Sequence, residues 1–167
     1  MHAPDYFQFF GLAPKLALDP GELQARFYCL SRELHPDRFQ RATPAEQERS
    51  LQASAFLNDA YRTLRDPVAR AEYALKRRGL DAGSNQAPPE LLEEVFALNE
   101  AIEEADQAQL EAGRLRFQAL LAAADAELHD LFARFDQGDA AAPAQIRAVL
   151  NRRRYIANLL AQVEVGV

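Results

Sequence analysis

Apolar residues recur along most of this chain with the period of an α-helix. Leu23, Phe27, Leu30 and Leu34 follow one another at three- and four-residue spacing and make one helical face. The pattern stops at His35-Pro36-Asp37. Proline has no N–H to donate and turns the preceding residue away from helical angles, so the helix is expected to end there. A polar stretch over 38–43 follows. A second helix is expected from Pro44, with Ala53, Leu57, Ala60 and Leu64 on its inner face. His35 and Asp37 are thereby predicted at the exposed tip of a helical hairpin. Upstream, Asp19 stands as N-cap, with Pro20 in the first turn and Glu22 in the capping-box position. Asp5 can cap a short aromatic segment, and Asp66-Pro67 opens a further helix that runs to about Arg78, before Gly79.

A breaker-rich stretch over 79–89 separates this half from the next. Three helical segments are expected after it: 89–104, Asp106 to about 135, and Pro143 to about 163. Asp106 and Gln109 resemble a capping box. Short connections favour antiparallel neighbours, so the three should form a bundle. No alternating β-branched run occurs. The fold class is therefore all-α, with an N-terminal domain over 1–78, a linker over 79–89 and a three-helix domain over 90–167. On a helical wheel Leu91, Val95, Leu98 and Ile102 fall within roughly 60° of one another, a core stripe. Leu92, Phe96, Glu103 and Glu100 lie roughly 100–180° from Leu91. That second strip is either the edge of a wide core face or an exposed docking surface, apolar at one end and acidic at the other.

Composition narrows the functional classes. Hydrophobic residues make up 49% of the 167, enough for a packed core. Cys29 is the only cysteine, which excludes an intramolecular disulfide and a cysteine metal cage; within its helix it reads as a packing residue. His2 and His129 read as surface or packing residues. No apolar run approaches a membrane span, and the N-terminus resembles neither a signal nor a transit peptide, so a cytoplasmic, bacterial protein without a membrane partner is expected. Residues 1–80 hold 12 Lys and Arg against 10 Asp and Glu; residues 81–167 hold 7 against 15. So acidic a second half argues against nucleic acid as a partner, because nonspecific binding needs phosphate neutralisation. Arg152-Arg153-Arg154, the one dense basic spot, reads as a solvated helix face. No phosphate-binding glycine loop and no His-Glu-x-x-His motif occurs. No catalytic residue, cofactor or metal is expected.

Four features together resemble a J-domain, the module of DnaJ-type co-chaperones: Tyr6…Leu12, His35-Pro36-Asp37, Asn58…Ala60-Tyr61…Leu64, and Asp66-Pro67 with Arg70 and Tyr73. A J-domain followed by an acidic three-helix bundle is similar to the HscB family, J-protein co-chaperones of iron–sulfur cluster assembly. Asp5-Tyr6-Phe7…Phe10-Gly11-Leu12, Arg70-Ala71-Glu72-Tyr73 and Leu91-Leu92…Leu98-Asn99-Glu100 carry that likeness. The resemblance implies two partners: the DnaK-class chaperone HscA, whose ATPase the J-domain stimulates, and the scaffold protein IscU. It implies that His35, Pro36, Asp37, Arg26, Arg32 and Arg38 bind the chaperone. It implies that Leu92, Glu93, Phe96, Ala97, Glu100, Glu104 and Tyr155 bind the scaffold. Glu93 stands where the family usually has an apolar residue, and Ala97 where an acid is common. Tyr28 and Cys29 replace basic residues frequent in general DnaJ proteins, which suits a dedicated chaperone pair. Two other classes stay open: a J-domain adaptor for a different client, and an enzyme using His35 and Asp37 as an acid–base pair, for which the chain supplies neither nucleophile nor metal site.

Overall fold

The computed structural model describes residues 5–80 and 87–165; the linker positions 81–86 and His2 lie outside them. Among the described residues the fold is all-α: an N-terminal helical domain is followed by a C-terminal one. The chain divides into two compact units, Met1–Arg77 and Arg78–Val167.

The first unit holds α1 (Tyr6–Phe9), α2 (Pro20–Leu34), α3 (Pro44–Arg65) and α4 (Pro67–Arg77). Local chemistry sets each start. The Asp5 carboxylate accepts the Phe7 N–H, Asp19 accepts Gly21, and Asp66 accepts Val68. The true capping box lies at Thr43 and Glu46, whose side chains each accept the other's backbone N–H. Glu22 makes no such bond. It pairs instead with Arg26 one turn later, at 2.8 Å. Leu23 of α2 and Leu57, Ala60 and Leu64 of α3 are buried together with Phe7 and Phe10. Phe27, Leu30 and Leu34 pack on that core from α2, and Phe27 stacks on Tyr61 with ring centroids 4.1 Å apart. The expected face of α2 is therefore the observed one. Cys29 is not on it: the thiol is exposed and donates to the Glu33 carboxylate one turn later, at 3.7 Å, rather than packing in the core.

The aromatic α1 is tied down by α4. Tyr6 stacks on Tyr73 at 4.5 Å between centroids. The Tyr73 hydroxyl accepts the Tyr6 N–H at 3.0 Å and donates to the Asp5 carboxylate at 3.3 Å. Arg77 closes the cluster with an ion pair to Asp5 at 2.8 Å. Burial pushes the Tyr73 phenol above its usual range.

The second unit holds α5 (Leu92–Glu103), α6 (Gln107–Asp136) and α7 (Ala142–Val165), with a 3-10 turn at Pro89–Leu91 leading into α5. Asp106 caps α6 by accepting the N–H groups of Ala108 and Gln109. Gly138, at φ +84°, supplies the left-handed turn between α6 and α7. Arg152 of α7 pairs with Glu127 of α6 and Arg153 with Asp125. These pairings run in opposite directions along the two helices, so the pair is antiparallel. They also correct the expectation for this basic run: both arginines are partly covered and bridge helices. Leu91, Leu98, Ala101, Leu110, Phe117, Ile156, Leu159 and Val163 form one core drawn from all three helices.

The core stripe of α5 differs from the wheel in one member. Ala101 is buried and Ile102 is 44% exposed. Leu91 belongs to the 3-10 turn, with φ −102° and ψ 1°, so a wheel counted from it enters the α-helix out of phase. Ile102 also sits in the last turn, just before Ala105 takes φ +51° and the chain reverses.

Candidate functional site

Two exposed surfaces, one on each unit, carry the residues singled out from the sequence. The first is the turn after α2. Residues Pro36–Phe39 form a single 3-10 turn rather than an open loop. His35, the α2 C-cap, is extended at φ −60° and ψ 131°, as the following proline demands. Its Nδ1 accepts the Asp37 N–H at 3.2 Å. In the neutral ring the proton therefore sits on Nε2, the nitrogen the turn does not use. The Asp37 carboxylate lies 3.5 Å from Nδ1 and accepts from Gln40 at 3.4 Å. Both side chains remain open to a partner, with His35 56% and Asp37 75% exposed.

α3 holds this turn from behind. The hydroxyls of Ser50 and Ser54 both donate to the Leu34 carbonyl, at 2.7 and 2.9 Å. That carbonyl closes α2 and would otherwise lack a helical donor. The Gln47 amide donates to the carbonyls of Gln40 and Ala42, each at 3.2 Å. Pro36, Asp37, Gln40, Gln47 and the exposed Leu51 line a shallow recess beside the turn. His35 and Asp37 are thus displayed on a braced backbone.

The three arginines differ in their bonding. Arg32 and Arg38 are exposed, and Arg38 reaches back to the Arg32 carbonyl at 3.4 Å. Arg26 is half-buried. Its guanidinium donates to the carbonyls of Phe10 and Gly11 at 2.9 and 3.0 Å and pairs with Glu22. Gly11, at φ +64°, makes the turn after α1 that presents these carbonyls; a side chain there would crowd the guanidinium. Arg26 is therefore first a clamp between α1 and α2. Sequence spacing alone gave no signal of this, because the acceptors are backbone atoms sixteen and fifteen residues away.

The second surface is the outer side of α5. Leu92 is 45% and Phe96 71% exposed, so neither belongs to a wide core face. Glu93, Ala97, Glu100 and Glu104 are exposed as well. Tyr155 on α7 is half-buried against the core of the same unit. The strip is apolar where Leu92 and Phe96 sit one turn apart and acidic toward Glu100 and Glu104. Between α5 and α6 a groove of about 300 Å³ opens among Ala97, Leu98, Ala112, Gly113 and Phe117. The ion pair between Glu94 and Arg116 lies at its edge, at 3.3 Å. The groove was not legible in the sequence; the only hint is a glycine inside a long helical pattern. Among the described residues no helix is long and apolar enough to cross a membrane.

Comparison with known proteins bears on both units. The family model described as the HSCB C-terminal oligomerisation domain matches residues 87–164. Chaperone HscB from Vibrio cholerae is similar in structure, with a TM-score of 0.70 and 30% sequence identity, over 97% of this chain and 96% of that one. The crystal structure of the human co-chaperone protein HscB is similar too, with a TM-score of 0.75 and 26% identity, over 99% of this chain and 83% of that one.

Proposed function

The chain belongs to the HscB family, J-domain co-chaperones of iron–sulfur cluster assembly, and on that premise we propose that it binds the scaffold IscU and delivers it to HscA, stimulating that chaperone's ATPase. The observation that carries the proposal is the braced, exposed turn His35-Pro36-Asp37 in one unit together with the exposed strip Leu92–Phe96–Glu100 in the other. Each unit has a surface suited to a separate partner.

At the first surface the chemistry is contact. His35 and Asp37 offer hydrogen-bonding groups in a fixed geometry. Stimulation follows if they bind the hydrolysis-competent state of HscA better than its resting state; equal affinity for both would shift nothing. Arg32 and Arg38 steer an acidic chaperone surface toward the turn. Arg26 lies on the same helix and adds charge, although its guanidinium is already engaged. At the second surface Leu92 and Phe96 anchor the scaffold by apolar burial. Glu93, Glu100 and Glu104 present carboxylates, Ala97 flanks the strip, and Tyr155 adds an aromatic from α7.

Steady-state ATPase of purified HscA, with and without IscU, tests the proposal. The chain should raise turnover. His35→Gln should abolish the stimulation while leaving the helical circular dichroism and IscU binding unchanged. Full stimulation by a folded His35→Gln variant would overturn the role of the turn. Stimulation by the wild-type chain with no IscU binding would make it an adaptor for another client.

A further inference from the structure

We propose that the groove between α5 and α6 is a second anchor point of the scaffold-binding surface, a socket for one aliphatic side chain of the partner that docks on Leu92 and Phe96. The inference rests on the scaffold-binding reading of α5 and extends that surface past Ala97 onto α6, where the reading names no contact.

Gly113 is the first observation. It lies inside the thirty-residue α6, where glycine weakens a helix. Nothing internal to the fold requires it. Its backbone is not left-handed, and a Cβ built there would meet only Phe117 Cε2, at an ordinary 3.9 Å. What the missing side chain does is keep the groove open. Ala97 and Ala112 act in the same way from the two walls, and Leu98 and Phe117 supply an apolar floor. At about 300 Å³ the space is large enough for an aliphatic side chain.

The second observation is continuity with the exposed strip. Ala97 lies about 100° round α5 from Phe96, at the edge of the exposed face that also carries Glu93, Glu100 and Glu104, and it lines the groove, so a partner that spans this face from Phe96 to Ala97 reaches its mouth. The third is charge. Residues 92–104 carry Glu93, Glu94, Glu100, Glu103 and Glu104 and no lysine or arginine. The occupant is therefore a protein surface rimmed by basic residues, with one protruding Leu, Ile or Met at its centre. Glu94 is already paired with Arg116, which leaves the other carboxylates to meet that basic rim.

Gly113→Leu tests the socket in the full-length chain, with purified IscU as the probe in titration calorimetry. The added side chain should fill the groove. Affinity should fall by about tenfold or more while the melting temperature holds or rises, since leucine is the better helix former. Gly113→Ala, one methyl larger, should raise the melting temperature and leave affinity within about twofold. Wild-type affinity in a folded Gly113→Leu variant would overturn the socket. If that variant were destabilised, the wild-type protein decides. Adding IscU should protect the Ala97 and Ala112 methyl groups from a soluble paramagnetic probe in NMR, and undiminished broadening would overturn the proposal. Leu92→Ala with Phe96→Ala separates the two ideas. Binding lost there but kept in Gly113→Leu rejects the socket alone; binding kept in both rejects the docking surface as well.

Discussion

Phe96→Ala, set against Leu98→Ala, distinguishes an interface residue from a core residue two positions away. Phe96 is 71% exposed and Leu98 4% exposed. Burying a large apolar side chain completely is worth about 1.5–3 kcal/mol, so docking that covers the exposed part of Phe96 gains about 1–2 kcal/mol. Truncation to alanine should therefore weaken IscU binding by roughly 5–30-fold. In the free protein the same change removes little that is packed, under about 1 kcal/mol of burial. Alanine's better helix propensity returns about 0.5 kcal/mol. The melting temperature should barely move. Adding Leu92→Ala, half covered already, brings the affinity loss to about a hundredfold. Leu98→Ala opens a cavity in the bundle and should cost about 2–5 kcal/mol of stability. For a unit of this size that lowers the melting temperature by roughly 8 °C or more. Thermal unfolding by circular dichroism and calorimetric titration with IscU, on the same preparations, read both quantities. A Phe96→Ala variant that binds IscU as tightly as wild type would refute the docking role of the strip. One that melts many degrees lower would show that Phe96 packs in solution.

Arg26→Ala should lower the melting temperature by several degrees through loss of its bonds to the Phe10 and Gly11 carbonyls, about 1–2 kcal/mol after allowing for its exposure. Arg32→Ala with Arg38→Ala should leave stability unchanged and weaken HscA binding more at low salt than at high salt, with IscU binding untouched; a salt-independent loss would argue against steering. Ser50→Ala with Ser54→Ala leaves the Leu34 carbonyl without its two hydroxyl donors, so stability should fall by about 1–3 kcal/mol and HscA stimulation with it; a stable variant with full stimulation would show that the brace is unnecessary. Tyr73 sets a pH dependence. Its folded pKa is raised above the ordinary 10.0, so the protonated phenol favours folding; that stability is complete below about pH 10 and is lost as pH rises through the folded value. Tyr73→Phe should flatten the alkaline limb of a pH–stability curve, and an unchanged limb would assign it to other groups.

Several helix starts, and the stop of α2, were determined by the sequence itself, because these depend on groups within four residues. Asp5, Asp19, Asp66 and Asp106 accept N–H groups two or three positions on, and Pro36 ends α2 by its own geometry. Helical periodicity separated Leu92, Phe96 and Glu100 from Leu91 and Leu98 but left open whether they edge a wide core face, and the packing of α5 decided that by leaving Leu92 and Phe96 exposed. The features that only the tertiary structure decided involve partners distant in sequence. Arg26 reads as a free charge until α1 brings two backbone carbonyls to it. Arg152 and Arg153 read as a solvated run until α7 lies antiparallel to α6 beside Glu127 and Asp125. Ser50 and Ser54 are unremarkable in a helix until its packing places both hydroxyls under the last carbonyl of α2. The exchange of Ile102 for Ala101 in the core, and the groove beside Gly113, follow from the phase at which α5 meets α6. A 3-10 turn and a left-handed residue at its two ends set that phase, and a periodicity of apolar residues carries no information about either.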